Sequence, residues 1–286
     1  LDWSAWGGLS DAVEMCNNNG TCRKSNPGVM CPSYRATGDE KHVTRGRANS
    51  LRLALTGQLG ADAFTSKDMY DTMDLCVSCK GCKRECPTGV DMARMKVEFL
   101  HHYHLKHGLP MSERLVAYLP HYAPVAAALA PVFNLRNRVP ALAWLQERLF
   151  GFDAQRPLPT WRTDWFRDHE ADSRAPQSQE QHPTKSTGLR DVVLLADTFN
   201  RWFEPENLRA ALKVLRHGGY RVHLARAPDK QRPLCCGRTF LAVGQTDRAR
   251  AEAQRMVDVL LPHARLGRPI IGLEPSCLFT LRDEFT

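Results

Sequence analysis

The stretch "LCVSCKGCKRECPTGV" (Leu75–Val90) places four cysteines within eleven residues and a proline directly after the last. Cys76, Cys79, Cys82 and Cys86 give C-x2-C-x2-C-x3-C-P, the bacterial run for a [4Fe–4S] cube. Thiols at three-residue steps can wrap one corner of a cube. Cys86 leaves on the next turn, Pro87 helps redirect the chain, and this last thiol is expected to ligate a second cluster. Zinc is the rival ligand, but zinc sites usually set two C-x2-C pairs some distance apart.

A second set of ligands is therefore expected, and upstream the chain reads "CNNNGTCRKSNPGVMCPSY" (Cys16–Tyr34). Cys31-Pro32 pairs with Cys86-Pro87. One cube would use Cys31, Cys76, Cys79 and Cys82. The other would use Cys16, Cys22 and Cys86 and is one thiolate short, because Asn19 holds the middle position of the upstream motif. Three outcomes stay open for that site: a [4Fe–4S] cube completed by Asn19, water or another side chain (Asn17 and Asn18 included), a [3Fe–4S] cluster, or a vacant site with buried thiols. Gly20 would let the backbone approach the sulfides.

The 286 residues suffice for two domains with cores of their own, and 43% hydrophobic with 24% charged residues marks a globular chain. There is no run of eighteen apolar residues and no signal peptide, and both ends read as cuts in a longer polypeptide. The net charge of +8 comes from arginines spread along the chain and selects no partner class. Of ten cysteines, seven precede residue 90 and three follow residue 234. That spacing argues for metal-bound thiolates in a reducing compartment rather than for a secreted disulfide scaffold.

Three blocks are predicted. Residues 1–108 form an α-helical, ferredoxin-like domain with two cluster sites, including helices in "TRGRANSLRLALTGQL" and "DMARMKVEFLHHYHLKHG". Residues 109–187 form a helical connector, broken at Pro124, Pro131 and Pro140, with the polar tail 168–188 as linker. Residues 188–286 form an α/β domain with a parallel sheet, with strands in "DVVLLAD", "YRVHLA" and "PIIGLE". Ligands of open α/β sheets bind beyond the carboxyl ends of the strands. Asp197, Cys235, Cys236 and Cys277 are therefore expected to converge there. They would form a metal or cluster site, a redox disulfide, or simply a set of buried thiols.

In order, "CNNNGTCRK", "MCPSYRATGDEKHVTRGRANSLR", "CVSCKGCKRECPTGVDMARMKVEF", "LLADTFNRWFEP", "PLCCGR" and "GLEPSC" resemble the iron–sulfur half of bacterial FAD-linked D-2-hydroxyacid dehydrogenases of the D-lactate and D-2-hydroxyglutarate type. More distantly the chain looks like the iron–sulfur subunits of glycolate oxidase and anaerobic glycerol-3-phosphate dehydrogenase and the CCG subunits of heterodisulfide reductase. The resemblance implies an oxidoreductase. FAD in a missing domain or partner oxidises a D-2-hydroxy acid, and this chain carries electrons to a quinone or another acceptor. It implies that Cys16, Cys22, Cys31, Cys76, Cys79, Cys82 and Cys86 are ferredoxin-type ligands and that Cys235, Cys236 and Cys277 form a CCG site. Asp197 stands where cluster-holding CCG domains generally have cysteine. A cytoplasmic location, with peripheral association at the inner face of the cytoplasmic membrane, is the matching expectation.

A disulfide or thiol reductase acting at the CCG site is one alternative; a zinc-binding interaction module is another. Nucleic acid is not an expected partner, because no strand face alternates aromatic and basic residues. His101, His104 and His107 share a helix face that would suit a metal, a proton site or plain solvent. Arg45 and Arg47 would donate to cluster sulfides or form ion pairs. Lys80, Lys83 and Arg84 would dock an acidic redox partner or face solvent.

Overall fold

The computed structural model describes residues 1–24, 28–172, 190–228 and 232–285. The predicted linker therefore falls mostly outside the described residues. The chain divides into two compact units, one of Leu1–Leu109 with Leu241–Thr246, the other of Pro110–Phe240 with Asp247–Thr286. The helices of the predicted connector thus fall in the same unit as the sheet.

Among the described residues the regular elements of the first unit are all helices. Its longest helix, Met92–His107, begins where the Asp91 side chain accepts the Arg94 amide and stops at Gly108, whose amide bonds back to His104. The Thr44–Leu55 helix buries Thr44, Arg47, Ala48, Leu51 and Ala54. That spacing is one helix face, laid on a core of Val13, Val43, Met73, Met92 and Phe99. The helix ends at Leu55, short of the predicted "TGQL", because Gly57 and Gly60 take positive φ and leave Leu59 exposed. The cysteine run starts on the loop after the Lys67–Asp74 helix, passes through the short Gly81–Glu85 helix, and ends before Met92–His107.

In the second unit a parallel sheet has the order β2-β1-β3, with β1 Arg190–Leu195, β2 Tyr220–Leu224 and β3 Ile270–Gly272. Central β1 is buried on both faces, as the unbroken apolar run of "VVLL" requires. Leu194 packs with Leu208 and Leu212 of the Pro205–His217 helix. Val193 and Leu195 pack with Met256 and Leu260 of the Thr246–Arg265 helix. Successive strand residues thus feed opposite layers. In the helices before the sheet, Pro131 and Pro140 occupy first turns, where no amide bond is lost. Pro124 does not break its helix, contrary to the sequence prediction. It sits at the sixth of the ten residues of Leu119–Ala128, and the helix runs through it although its missing amide leaves the Pro120 carbonyl without the usual intrahelical donor. Ala123 and Ala127 of that helix pack on Trp202 together with Trp161 and Trp165, so these tryptophans act in packing.

Candidate metal centre

Cys31, Cys76, Cys79 and Cys82 line a single small cavity, with Met30, Val77, Met92 and Ala93 as apolar wall and Ser33, Thr44 and Arg47 as polar wall. Local backbone builds it. Ser78 and Lys80 take left-handed conformations, so the Cys76–Cys82 loop turns tightly enough to bring three thiols to one place. Gly81 is glycine because the upstream segment passes against it: a Cβ there would lie 2.7 Å from Val29 Cγ2. Glu85 fastens that segment, accepting the amides of Val29 at 2.8 Å and Met30 at 3.0 Å. Lys96 holds the loop from the other side through the carbonyls of Asp74 and Cys76. Sequence reasoning missed both Glu85 and Lys96. The signal available was only their position, one inside the cysteine run and one on the following helix.

The thiols differ in environment. Burial pushes Cys82 up to about 12. Burial also pushes Cys31 up, but the Ser33 hydroxyl, the Arg47 guanidinium, the Thr44 hydroxyl and the Tyr34 amide together leave its pKa lowered. Cys31 Sγ lies 3.6 Å from Arg47 Nη1 and 3.6 Å from Ser33 Oγ. Cys79 is exposed, so the cavity reaches the surface on its side. Four thiols, an apolar wall and a buried guanidinium fit a thiolate-bound [4Fe–4S] cube, which is anionic.

The second predicted set is only partly assembled by the contacts. Cys16 and Cys22 are buried, and Cys16 and Cys31 both act on Cys22, whose pKa is raised chiefly by burial. Cys86 packs on the same core, with its Sγ 3.2 Å from Thr88 Oγ1. Burial raises its pKa, but the Thr88 hydroxyl and the amides of Val90, Thr88 and Gly89 lower it further. Asn19 is exposed. Its amide nitrogen donates to Asn17 Oδ1 and its oxygen accepts the Thr21 amide at 2.9 Å, so it shapes the loop between the thiols.

At the sheet, three of the four predicted residues touch. Cys235, Cys236 and Cys277 are buried, with Cys235 hydrogen-bonded to Cys236 and Cys236 to Cys277. The Cys236 contact and burial raise Cys235 well above the usual thiol range. The Cys235 contact lowers Cys236, but the Cys277 contact and burial prevail and push it up to about 12. Gly237 is fixed by geometry: its φ is +79°, and a Cβ there would sit 2.8 Å from Ala249 O. Asp197 caps the Thr198–Trp202 helix, accepting the Phe199 and Asn200 amides and the Asn200 side chain. Its pKa is raised, chiefly by burial. All ten cysteines are free thiols. Among the described residues, no three His, Cys, Asp or Glu side chains are gathered closely enough to hold one metal ion.

The remaining candidates have simpler partners. His101, His104 and His107 bond the carbonyls of Gly244, Val243 and Thr65. Arg45 pairs with Glu40 at 2.6 Å, and Lys83 with Asp91 at 3.5 Å.

Residues 12–90, which contain every thiol of both predicted cluster sets, match the 4Fe-4S dicluster domain. This part of the chain is a 4Fe-4S domain. Around this dicluster domain the whole chain is homologous to D-2-hydroxyglutarate dehydrogenases. It is 27% identical over 322 residues to that of Pseudomonas putida, an alignment covering 100% of this chain and 31% of the relative. It is also 27% identical over 162 residues to one subunit of the anaerobic glycerol-3-phosphate dehydrogenase of Escherichia coli, covering 56% of this chain and 38% of that subunit. A probable glycolate oxidase iron-sulfur subunit of Bacillus subtilis is 30% identical over 97 residues, covering 33% of this chain and 20% of that protein. The chain therefore spans about a third of the length of the dehydrogenases it matches. No solved structure matches it significantly. Among the described residues no helix is long and apolar enough to cross a membrane.

Proposed function

We propose that this chain is the iron–sulfur electron-transfer module of a flavin-dependent D-2-hydroxyacid dehydrogenase, with Cys31, Cys76, Cys79 and Cys82 holding a [4Fe–4S] cube. The observation that carries the reading is the meeting of these four thiols at one cavity inside the dicluster domain. In this reading FAD outside this chain would supply the hydride chemistry, and Cys31, Cys76, Cys79 and Cys82 would hold the cluster that relays the electrons singly. The chain's own residues do the rest. Met30, Val77, Met92 and Ala93 limit water at the site. Exposed Cys79, beside Lys80, Lys83 and Arg84, marks the edge where an acidic redox partner would approach. Cys16, Cys22 and Cys86 would serve a second cluster, with Asn19 keeping their loop in shape.

For the acceptor, a quinone is supported by a cavity of about 550 Å³ in the second unit, lined by Tyr122, Phe133, Phe150, Phe152, Trp161 and Phe203. Exposed Val125, Leu129, Val132, Trp144 and Leu149 on the same helices support peripheral contact with the inner face of a membrane. A disulfide reductase at Cys236 and Cys277 is the second reading, favoured by their direct contact, but a Cys236 thiol pushed up to about 12 is a poor nucleophile.

The deciding experiment is iron, sulfide and zinc analysis with EPR on chain purified without oxygen. About four irons support one cube and about eight support two. Zinc without iron or labile sulfide sinks the reading. Quenching of Trp161 fluorescence by a short-chain quinone, abolished in Trp161→Phe, tests the acceptor site. An unquenched Trp161 removes it.

A further inference from the structure

The buried face of the Thr44–Leu55 helix holds Thr44, Ala48, Leu51 and Ala54, and at its centre a guanidinium. Arg47 is 0% exposed. Its Nε donates to Thr72 O at 2.9 Å, Nη2 to Ser33 Oγ at 3.0 Å and Nη1 to Cys31 Sγ at 3.6 Å. Each of the three nitrogens makes a hydrogen bond, yet none of the partners is a carboxylate. Among the described residues no Asp or Glu lies within ion-pair distance of Arg47, whereas nearby Arg45 is neutralised by Glu40. Hydrogen bonds satisfy the protons of a buried cation but do not supply the opposite charge, and an uncompensated charge in the interior is strongly unfavourable. The wall of the cavity that Arg47 shares with Cys31, Cys76, Cys79 and Cys82 is where that charge would lie.

We propose that Arg47 is the built-in counter-ion of the cluster held by Cys31, Cys76, Cys79 and Cys82 and raises its reduction potential. The inference rests on the reading that this cavity holds a [4Fe–4S] cube. A cube bound by four thiolates is anionic, and taking up one electron makes it more so without making or breaking a bond. A fixed cation at the site favours the reduced form, and a donor on Cys31 Sγ withdraws density from the ligand. Net charge and hydrogen bonds to sulfur are both known levers on cluster potential. Lysine keeps the charge but lacks the planar fork that reaches Thr72, Ser33 and Cys31 together.

The test is a redox titration of the iron-loaded chain, followed by EPR, with Arg47→Gln and Arg47→Lys compared with wild type. Arg47→Gln is expected to lower the one-electron reduction constant at least tenfold, about 59 mV, and Arg47→Lys to lower it by less than tenfold. A merely structural arginine would alter stability but leave the potential where it was. Arg47→Gln that keeps its iron and titrates at the wild-type potential overturns the proposal. Should Arg47→Gln fail to fold, Arg47→Lys carries the test alone: a measurable fall of less than tenfold supports the charge role, and either an unmoved potential or a tenfold or larger fall overturns it. Iron analysis of the wild type separates the two levels. A wild-type chain without iron defeats the cluster reading itself, whereas iron with an unmoved potential defeats only the role of Arg47.

Discussion

Both units gather a group of thiols, but in opposite ways. At Cys31, Cys76, Cys79 and Cys82 the sulfurs line an open space beside a buried guanidinium. At Cys235, Cys236 and Cys277 the thiols hydrogen-bond to one another, and burial together with those contacts raises Cys235 and Cys236. The first arrangement is suited to thiolates around an anionic guest. The second is suited to neutral thiols that fill a core beneath the strand ends, as free cysteine commonly does. Two cysteine motifs of one sequence thus read alike as ligand sets and differ in charge, space and contact.

The largest effect that sharpens this contrast is expected from Cys82→Ser, which removes a ligand from the cavity. It should abolish roughly four irons per chain, read by iron and sulfide analysis. Full iron content in that variant would break the comparison at its first term. Next is Gly237→Ala. The added methyl meets Ala249 O and the backbone is left-handed, so about 1–3 kcal/mol of stability should be lost in urea unfolding, with no change in iron. Cys277→Ala should be milder, about 1 kcal/mol, and also iron-neutral. Loss of iron or sulfide in Cys277→Ala would show that the second thiol group holds metal after all. The smallest effect lies far from both groups. Arg162 and Arg209 hold the Asp164 carboxylate down to about 2, and the pair is largely exposed. A depressed carboxylate contributes stability that is present above its unfolded pKa and lost as pH falls through the folded one. Arg162→Ala should therefore flatten the stability change between about pH 4 and pH 2, by less than 1 kcal/mol for so exposed a pair.

Much of the first site was legible in the chain. The repeated three-residue steps from Cys76 and the two Cys-Pro pairs are local patterns, and local patterns survive folding. The strand runs "VVLL" and "YRVHL" were legible for the same reason, being short apolar or alternating segments between turn signals. Less legible were matters decided by contact. Pro124 reads as a helix breaker, yet Leu119–Ala128 runs through it, with Ala123 and Ala127 packed on Trp202. Asn19 stands at the middle position of the upstream motif, and only the structure shows its side-chain amide bonded to Asn17 and Thr21. Asp197 reads as a member of the strand-end cluster, yet its oxygens are occupied by the start of the next helix. Arg45 and Arg47 are two residues apart on one helix and look equivalent in sequence. Helical rotation sends one to Glu40 and the other into the core.

By itself, then, the sequence determined which residue types were available and in what rhythm: thiols at cluster spacing, a helical first part, and a parallel sheet with cysteines near its strand ends. Tertiary structure alone decided which thiols share a space, which ones hydrogen-bond to each other, and which of Arg45 and Arg47 lies inside with no carboxylate beside it among the described residues. The physical reason is range. Spacing along the chain constrains residues a turn or two apart, whereas solvent exclusion and charge compensation depend on segments such as Val29–Cys31 and Gly81–Glu85, brought together from more than fifty residues away.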